Sequence, residues 1–420
     1  MAVTITQTPD KYTPSDNPVV YAFKQPLTVS GDDKYNVSFV VKIFVDSAEI
    51  GTFEVFPELT GATDYFSKID FSDKVRAYVS NHSVYTTGNS ITLPFLYDTQ
   101  NYVETYITIQ EKYSTSPTTS PTTQIAVTTS SNTIVFKGSL SRSEFSEWDY
   151  EIYKKGSIAK RFLTDKYYKT TLGASIYSFT EKKESITILS WFDNSDLDTP
   201  TNYNVVFIYL LPSGNITQTN LFSSGNQGAI SALRFNLQEQ LDLGHITQST
   251  YDNCTGVYIF IQNLANDTIS GVYTIAFSNV CFDNGTNLLW LNNYGSYDNY
   301  RFTYNSRISA KIESKSFTKR QGEWNPLNNS YNVNNNTFGK IDYLKTITKQ
   351  LELSSDWLTE EEQAYVCNLY ESPLVYLNES TEVENVIVTN SAYQIKQSEH
   401  DDLFNEIVNI EFTNKKSISL

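Results

Sequence analysis

A mainly β, multidomain fold is predicted for this chain of 420 residues: two β-sandwich domains, then a C-terminal β-sheet domain with one flanking helix. Three observations predict it. Aromatic residues are 14% of the chain and charged residues 19%, against roughly 25% charged in an average globular protein, and aromatic and β-branched side chains suit a pleated, half-buried surface. Short alternating apolar runs recur between clusters of Asn, Asp, Gly, Ser and Pro, whereas one stretch alone combines helix-start chemistry with an apolar face. The length supports two or three domains with separate cores. Changes of pattern divide it at 1–112, 134–285 and 286–420, with a linker or loop at 113–133.

The first domain opens on Thr13-Pro14-Ser15-Asp16-Asn17-Pro18, a turn feeding an edge strand, because proline cannot donate to a central ladder. Val37, Phe39, Val41, Ile43 and Val45 alternate strictly, which puts five apolar side chains on one face of a strand. A hairpin loop at 46–51 leads to a second strand from Phe53 and Val55. Residues 72–80 are expected to make one or two helical turns capped by Ser72. Val103, Ile107 and Ile109 share one face of a later strand, with Glu104 and Thr108 opposite. Strand count and length favour a sandwich of immunoglobulin or fibronectin type. Residues 113–133, centred on Ser116-Pro117-Thr118-Thr119-Ser120-Pro121, are low in complexity and read as a linker or exposed loop.

In the second domain four apolar runs, 186–192, 205–211, 257–261 and 272–277, are separated by turn residues, the pattern of a jelly-roll-like sandwich. Residues 230–243 fit two readings. Leu233, Leu237 and Leu241 fit a helix, whereas Leu233, Phe235 and Leu237 fit a strand, and the helix is preferred.

The stretch 288–302 then reads as a hairpin: an apolar run to Asn292, a turn at Gly295, and alternating aromatics at Tyr300, Phe302 and Tyr304. Trp290 is expected to anchor its base. Beyond it lie a polar connection at 321–336 and a long strand carrying Ile341, Tyr343, Ile347, Leu351 and Leu353. A helix over 360–371 follows, with Thr359 and Glu362 forming a capping box, Glu360 and Glu361 at the positive end of the dipole, and Val366, Leu369 and Tyr370 facing the core. Strands at 386–388, 393–396 and around Phe404, Val408, Ile410 and Phe412 complete a sheet.

The sequence carries few chemical signatures. A net charge of -16 argues against binding a phosphate backbone, although an acidic face suits a passage through which DNA slides. Cys254, Cys281 and Cys367 are widely spaced and read as small buried hydrophobes, a Cys254–Cys281 bridge being the alternative. His82, His245 and His400 are scattered in polar stretches. Nucleotide-loop, nucleophile-elbow and zinc-protease motifs are absent. The acidic cluster Asp193-Asn194-Ser195-Asp196-Leu197-Asp198 has Leu197 where a calcium loop needs oxygen, so it reads as a solvated turn. Asn-x-Ser/Thr triplets at Asn36, Asn81, Asn215, Asn266, Asn284 and Asn378 reflect composition. No secretory signal and no membrane-spanning helix are expected. No catalytic residue, metal or cofactor is assigned.

Three stretches together carry a resemblance. Thr13 through Tyr21, Leu289-Trp290-Leu291-Asn292-Asn293-Tyr294-Gly295-Ser296-Tyr297-Asp298, and Val386-Ile387-Val388-Thr389-Asn390 with Leu403-Phe404-Asn405 resemble virion proteins of tailed bacteriophages and prophages of Bacteroidota, crAss-like phages included. The resemblance implies a non-enzymatic structural component of the neck, tail or tail tip, made in the host cytoplasm and arranged as a ring. Its partners are then copies of itself and other tail or neck proteins, with no sequence-specific nucleic acid. Trp290, Tyr294, Gly295, Tyr297 and Asp298 are the expected interface, with the connection 321–336 as a second contact. A receptor- or carbohydrate-binding tail module is the alternative, and a polysaccharide depolymerase a further one.

Overall fold

The architecture is that of a computed structural model, which describes residues 3–29, 32–59, 63–80, 95–96, 101–149, 161–164, 168–170, 173–180, 182, 186–191, 202–223, 230–263, 265–277, 285–319, 322–332, 339–379, 382–390 and 404–419. The fold is mainly β, with several multi-strand sheets and few helices, as the sequence predicts. It forms two compact units. The first comprises Met1–Ser178, Ser185–Phe277 and Asn292–Asp298; the second comprises Phe179–Glu184, Ser278–Leu291 and Asn299–Leu420.

Within the first unit, one sandwich pairs a four-stranded sheet (Thr4–Gln7, Val20–Pro26, Asp64–Asp70, Glu58–Leu59) with a six-stranded one. The latter runs Tyr12–Pro14, Thr133–Phe136, Tyr102–Ser114, Tyr35–Val45, Ala48–Val55, with Thr122–Thr129 also on Tyr102–Ser114. The alternating set Val37 to Val45 is buried as expected, against Val19, Tyr21, Phe23, Ile107 and Ile109. The loop expected at 46–51 is tighter. Asp46 and Ser47 take positive φ of 46° and 69°, the conformation of a two-residue hairpin turn, and Ala48–Val55 is already strand. The helical turns form at Ser72–Val75 and Arg76–Tyr78, but Phe71 occupies the cap and Ser72 lies inside. The capping role passes to Asp70, whose carboxylate accepts from the backbone N–H of Ser72 at 2.9 Å and of Val19 at 3.0 Å.

The stretch 113–133 departs from the linker expectation. Thr122–Thr129 is a strand antiparallel to Tyr102–Ser114, because its threonines with Ile125 and Val127 are β-branched and suit a ladder despite low complexity. Thr133–Phe136 also joins this sheet, so the first sandwich continues past residue 112. Its interior holds an ion pair: Lys34 Nζ lies 2.6 Å from Glu111 Oε1 with both side chains buried. The ammonium also donates to the Pro26 carbonyl at 3.0 Å, which satisfies a charge that would otherwise be costly to bury.

The second sandwich faces a six-stranded sheet (Tyr168–Thr170, Gly173–Thr180, Val272–Phe277, Gly256–Gln262, Asn202–Leu210, Ile216–Ser223) onto a three-stranded one (Phe95–Leu96, Ile230–Phe235, Ile186–Trp191). Val205, Phe207, Ile259, Ile275, Leu233 and Phe235 share its core. Both readings of 230–243 have a place: Ile230–Phe235 is strand and Leu237–Asp242 is helix, capped by Asn236. Also in the first unit, Tyr12, Ile134, Phe136, Leu163 and Ile230 form a smaller core.

The second unit is one eight-stranded sheet in the order Tyr297–Phe302, Thr286–Leu291, Val375–Glu379, Glu382–Val388, Ile407–Phe412, Gly339–Ser354, Tyr304–Lys319, with Lys416–Ser419 also on Gly339–Ser354. Only Thr303 separates Phe302 from Tyr304, so the first and last strands of this order are successive stretches of one bent strand. The sheet therefore curls enough to bring its two end strands together at residues 302–304, with no ladder between them among the described residues. The helix Glu360–Glu371 packs on it with the predicted capping box, Thr359 N–H donating to Glu362 at 3.0 Å and Glu362 N–H to Thr359 Oγ1 at 3.3 Å. Val366 and Leu369 are buried as predicted, and Tyr365 joins them. Strand 393–396 lies outside the described residues.

Candidate interaction surfaces

The hairpin of Thr286–Leu291 and Tyr297–Phe302 is built around Asn292. Its side-chain oxygen accepts from the backbone N–H of Tyr294 at 3.0 Å and of Ser296 at 2.9 Å, which closes the turn. Its amide donates to the Leu163 carbonyl at 3.0 Å and to Asp298 at 3.1 Å. Asp298 also accepts a short hydrogen bond from Thr164 Oγ1. Gly295 sits at φ 72°, and a Cβ there would collide with the Lys137 carbonyl. Tyr294 stacks on Trp148 with centroids 6.2 Å apart.

These contacts enclose most of the residues of the expected interface. Trp290 is 0% exposed, Asp298 2% and Tyr297 4%, and Gly295 is buried; Tyr294 alone is half-buried. Trp290 anchors the hairpin base as predicted, with its indole 5.2 Å from the Tyr365 ring. Tyr297 and Asp298, expected to meet a partner, have their side chains inside the protein, because Asp298 is needed by Thr164 and Asn292. Sequence position cannot reveal partners more than 130 residues away.

The other chemical candidates are quickly placed. His245 Nδ1 lies 3.0 Å from Gln240 Oε1; His82, His400, Cys281 and the cluster 193–198 lie outside the described residues. Cys254 is a buried thiol donating to the Gly256 carbonyl at 3.1 Å, and Cys367 is a buried thiol pushed up to about 12 by burial and the nearby carboxylates of Glu406 and Glu371. Asn378 is buried in a strand, which suits the compositional reading of its triplet. Among the described residues no group of three or more His, Cys, Asp or Glu converges to hold a metal. No described helix is long and apolar enough to cross a membrane.

What the sequence did not single out is a projecting ribbon. Tyr304–Lys319 and Gly339–Ser354, 16 residues each, pair antiparallel from Tyr304 opposite Ser354 to Lys319 opposite Gly339. Strands of that length run about 50 Å at ~3.3 Å per residue. Ile407–Phe412 and Lys416–Ser419 support one flank up to Leu344; among the described residues, the distal part has no third strand. Ile308 and Ile312, opposite Leu351 and Ile347, share a face with Lys345 and Lys349, while Arg307, Lys311 and Lys315 take the other. Ile308 is 76% exposed. The connection after Lys319 carries a small hairpin, Glu323–Asn325 with Ser330–Asn332, which sets Trp324, 60% exposed, opposite Tyr331 and leaves Leu327 92% exposed.

The ribbon is also basic. Arg307, Lys311, Lys315, Lys340, Lys345 and Lys349 are exposed on it against two exposed carboxylates, Glu313 and Asp342, a balance of +4. Lys311 pairs with Glu313 at 2.9 Å and Lys345 with Asp342 at 3.4 Å. Arg307, Lys315, Lys340 and Lys349 make no ion pair with a described residue. The signal was present in the sequence as basic residues at 307, 311 and 315, a spacing that keeps one face of a strand. No protein-family model matches the chain, and no curated protein matches its sequence.

Proposed function

We propose that the protein is a non-enzymatic structural component of a tailed-phage virion, in the neck, tail or tail tip, whose copies assemble into a ring. The observation that carries this reading is the ribbon. Large apolar side chains on both its stem and its terminal hairpin face solvent in the single chain, among them Ile308, Ile312, Trp324 and Leu327, and exposed apolar surface gathered on one arm suits an interaction site. Ring subunits meet through heterologous contacts that close by rotation, and a projecting arm is a natural way to reach a neighbour. Trp290, Tyr297 and Asp298 of the hairpin 286–302 are buried in the single chain, so the contact role falls to the ribbon and its terminal hairpin. Negative-stain electron microscopy of the purified full chain is expected to show closed rings of one copy number. A protein that stays monomeric by sedimentation at every concentration accessible would overturn the reading.

A second reading has its own observation: exposed Trp324 opposite Tyr331 offers two aromatic faces on which a sugar ring can stack. Glycan-array binding that is lost in Trp324→Ala, without any ring, would favour a carbohydrate-binding tail module.

A further inference from the structure

We propose that the ribbon of one copy seats on the acidic surface of a second copy of this chain, with Arg307, Lys315, Lys340 and Lys349 supplying the charge and Ile308 and Ile312 the apolar contact. The inference rests on the reading that copies assemble, and it names the arm and the chemistry of its seat. Charge complementarity carries it. The chain totals -16 while the ribbon carries +4, so all other residues together carry -20. Glu313 and Asp342 are already engaged by Lys311 and Lys345 within the ribbon. The remaining four cations have no described carboxylate of their own chain within ion-pair distance, which leaves them open to a partner's carboxylates. A second copy brings -20 at the same concentration, and complementary potentials both steer encounter and fix register. A nucleic acid fits less well, because a phosphate backbone offers no apolar surface to Ile308 and Ile312.

The exposed edge of Tyr304–Lys319 supports the same assignment. A long strand edge with exposed isoleucines invites uncontrolled pairing, and lysines along it restrict partners to those bearing negative charge. The ribbon is thus selective as well as adhesive.

The test uses the full chain. Lys315→Glu/Lys349→Glu reverses two exposed charges, and its far-ultraviolet spectrum and thermal midpoint are expected to match the parent. Its self-association by sedimentation velocity is expected to weaken about tenfold or more, while Lys315→Arg/Lys349→Arg associates as the parent does. Association of the parent is expected to fall as salt rises from about 50 to about 500 mM. A photo-crosslinker at Ile312, in a mixture of light and heavy isotope-labelled copies, is expected to yield mixed-isotope products on Asp- or Glu-bearing peptides. Undiminished assembly of the charge-reversed variant would refute the inference and leave the ring reading standing. Ribbon-dependent, salt-sensitive association without closed rings would support the inference and remove the ring. A parent that is monomeric at low salt refutes both. Duplex DNA captured by the parent but not by the variant, with assembly equal in the two, also overturns the assignment.

Discussion

The hairpin of Thr286–Leu291 and Tyr297–Phe302 and the ribbon of Tyr304–Lys319 and Gly339–Ser354 are both antiparallel pairs, with one residue between them in the chain. In the first, Leu288, Leu289, Trp290 and Phe302 are buried, and even Asp298 and Arg301 are enclosed. In the second, side chains on both faces reach solvent, isoleucine and lysine alike. Local propensity does not separate them, since each is rich in residues that suit strands. What separates them is supply of neighbours. The hairpin gains Val375–Glu379 along its edge and Tyr365 against its indole, whereas no described strand flanks the distal ribbon. A β-ribbon is therefore core or arm according to what the rest of the chain brings to it.

The largest test of this contrast sets two tryptophans against each other. Trp290→Ala removes a fully buried indole and is expected to cost about 3–5 kcal/mol, whereas Trp324→Ala on the terminal hairpin is expected to stay within about 0.5 kcal/mol. Urea unfolding measures both, and equal losses would dissolve the distinction. Trp290→Phe is expected to lose less than the alanine variant, because the indole N–H has no acceptor among the described residues.

Next in size is the turn. Gly295→Ala places a Cβ at φ 72° and against the Lys137 carbonyl, so a loss of at least about 1–3 kcal/mol is expected from the backbone alone. Gly339→Ala, at φ 114° on the ribbon with open space around it, isolates the backbone strain from the collision. Urea midpoints that fall equally for the two would show that the Lys137 contact contributes nothing.

Alkaline titration probes the enclosed hairpin in another way. Burial holds the Tyr300 hydroxyl far above its ordinary 10.0, and does the same for Tyr370, while Cys367 is pushed from 9.0 up to about 12. Each group is neutral in the fold and ionises at lower pH once unfolded. Its contribution is therefore whole below the unfolded value and lost as pH rises from there. The thermal midpoint is expected to hold up to pH 9 and decline between 9 and 12; a midpoint rising over that window would contradict the burial. For the same reason the Cys367 peptide is expected to resist iodoacetamide at about pH 8 in the folded protein and to react in urea.

Smallest is Leu327→Ser on the terminal hairpin, which is expected to leave the urea midpoint unchanged and to slow self-association only slightly. A large loss of stability there would mean that the arm is packed after all.

Much of this was legible. The Val37 to Val45 alternation and the Thr359/Glu362 box are local patterns whose outcome depends on residues within a few positions, and both stand as predicted. Gly295 marked its turn for the same reason. Non-local choices were hidden: Phe95–Leu96 pairs with Ala232 and Leu233, and Asp298 is claimed by Thr164. In residues 113–133 low complexity concealed a strand, because composition reports solvation while β-branching sets the backbone. Of the candidate interface, the anchoring of Trp290 was readable and the enclosure of Tyr297 and Asp298 was not.

The curled sheet finally sets a timetable for synthesis. Thr286–Leu291 pairs at once with Tyr297–Phe302 but gains its second partner only when Val375–Glu379 arrives, Asn287 pairing with Asn378 and Trp290 with Val375. At roughly 5–20 residues per second, a translating ribosome needs on the order of 5–20 s to bridge that gap. Through that interval Leu288 and Trp290 have only their hairpin partner and no wider sheet to enter, while the ribbon between them and Val375–Glu379 closes from neighbouring sequence. The arm is thus closed before the core that carries it.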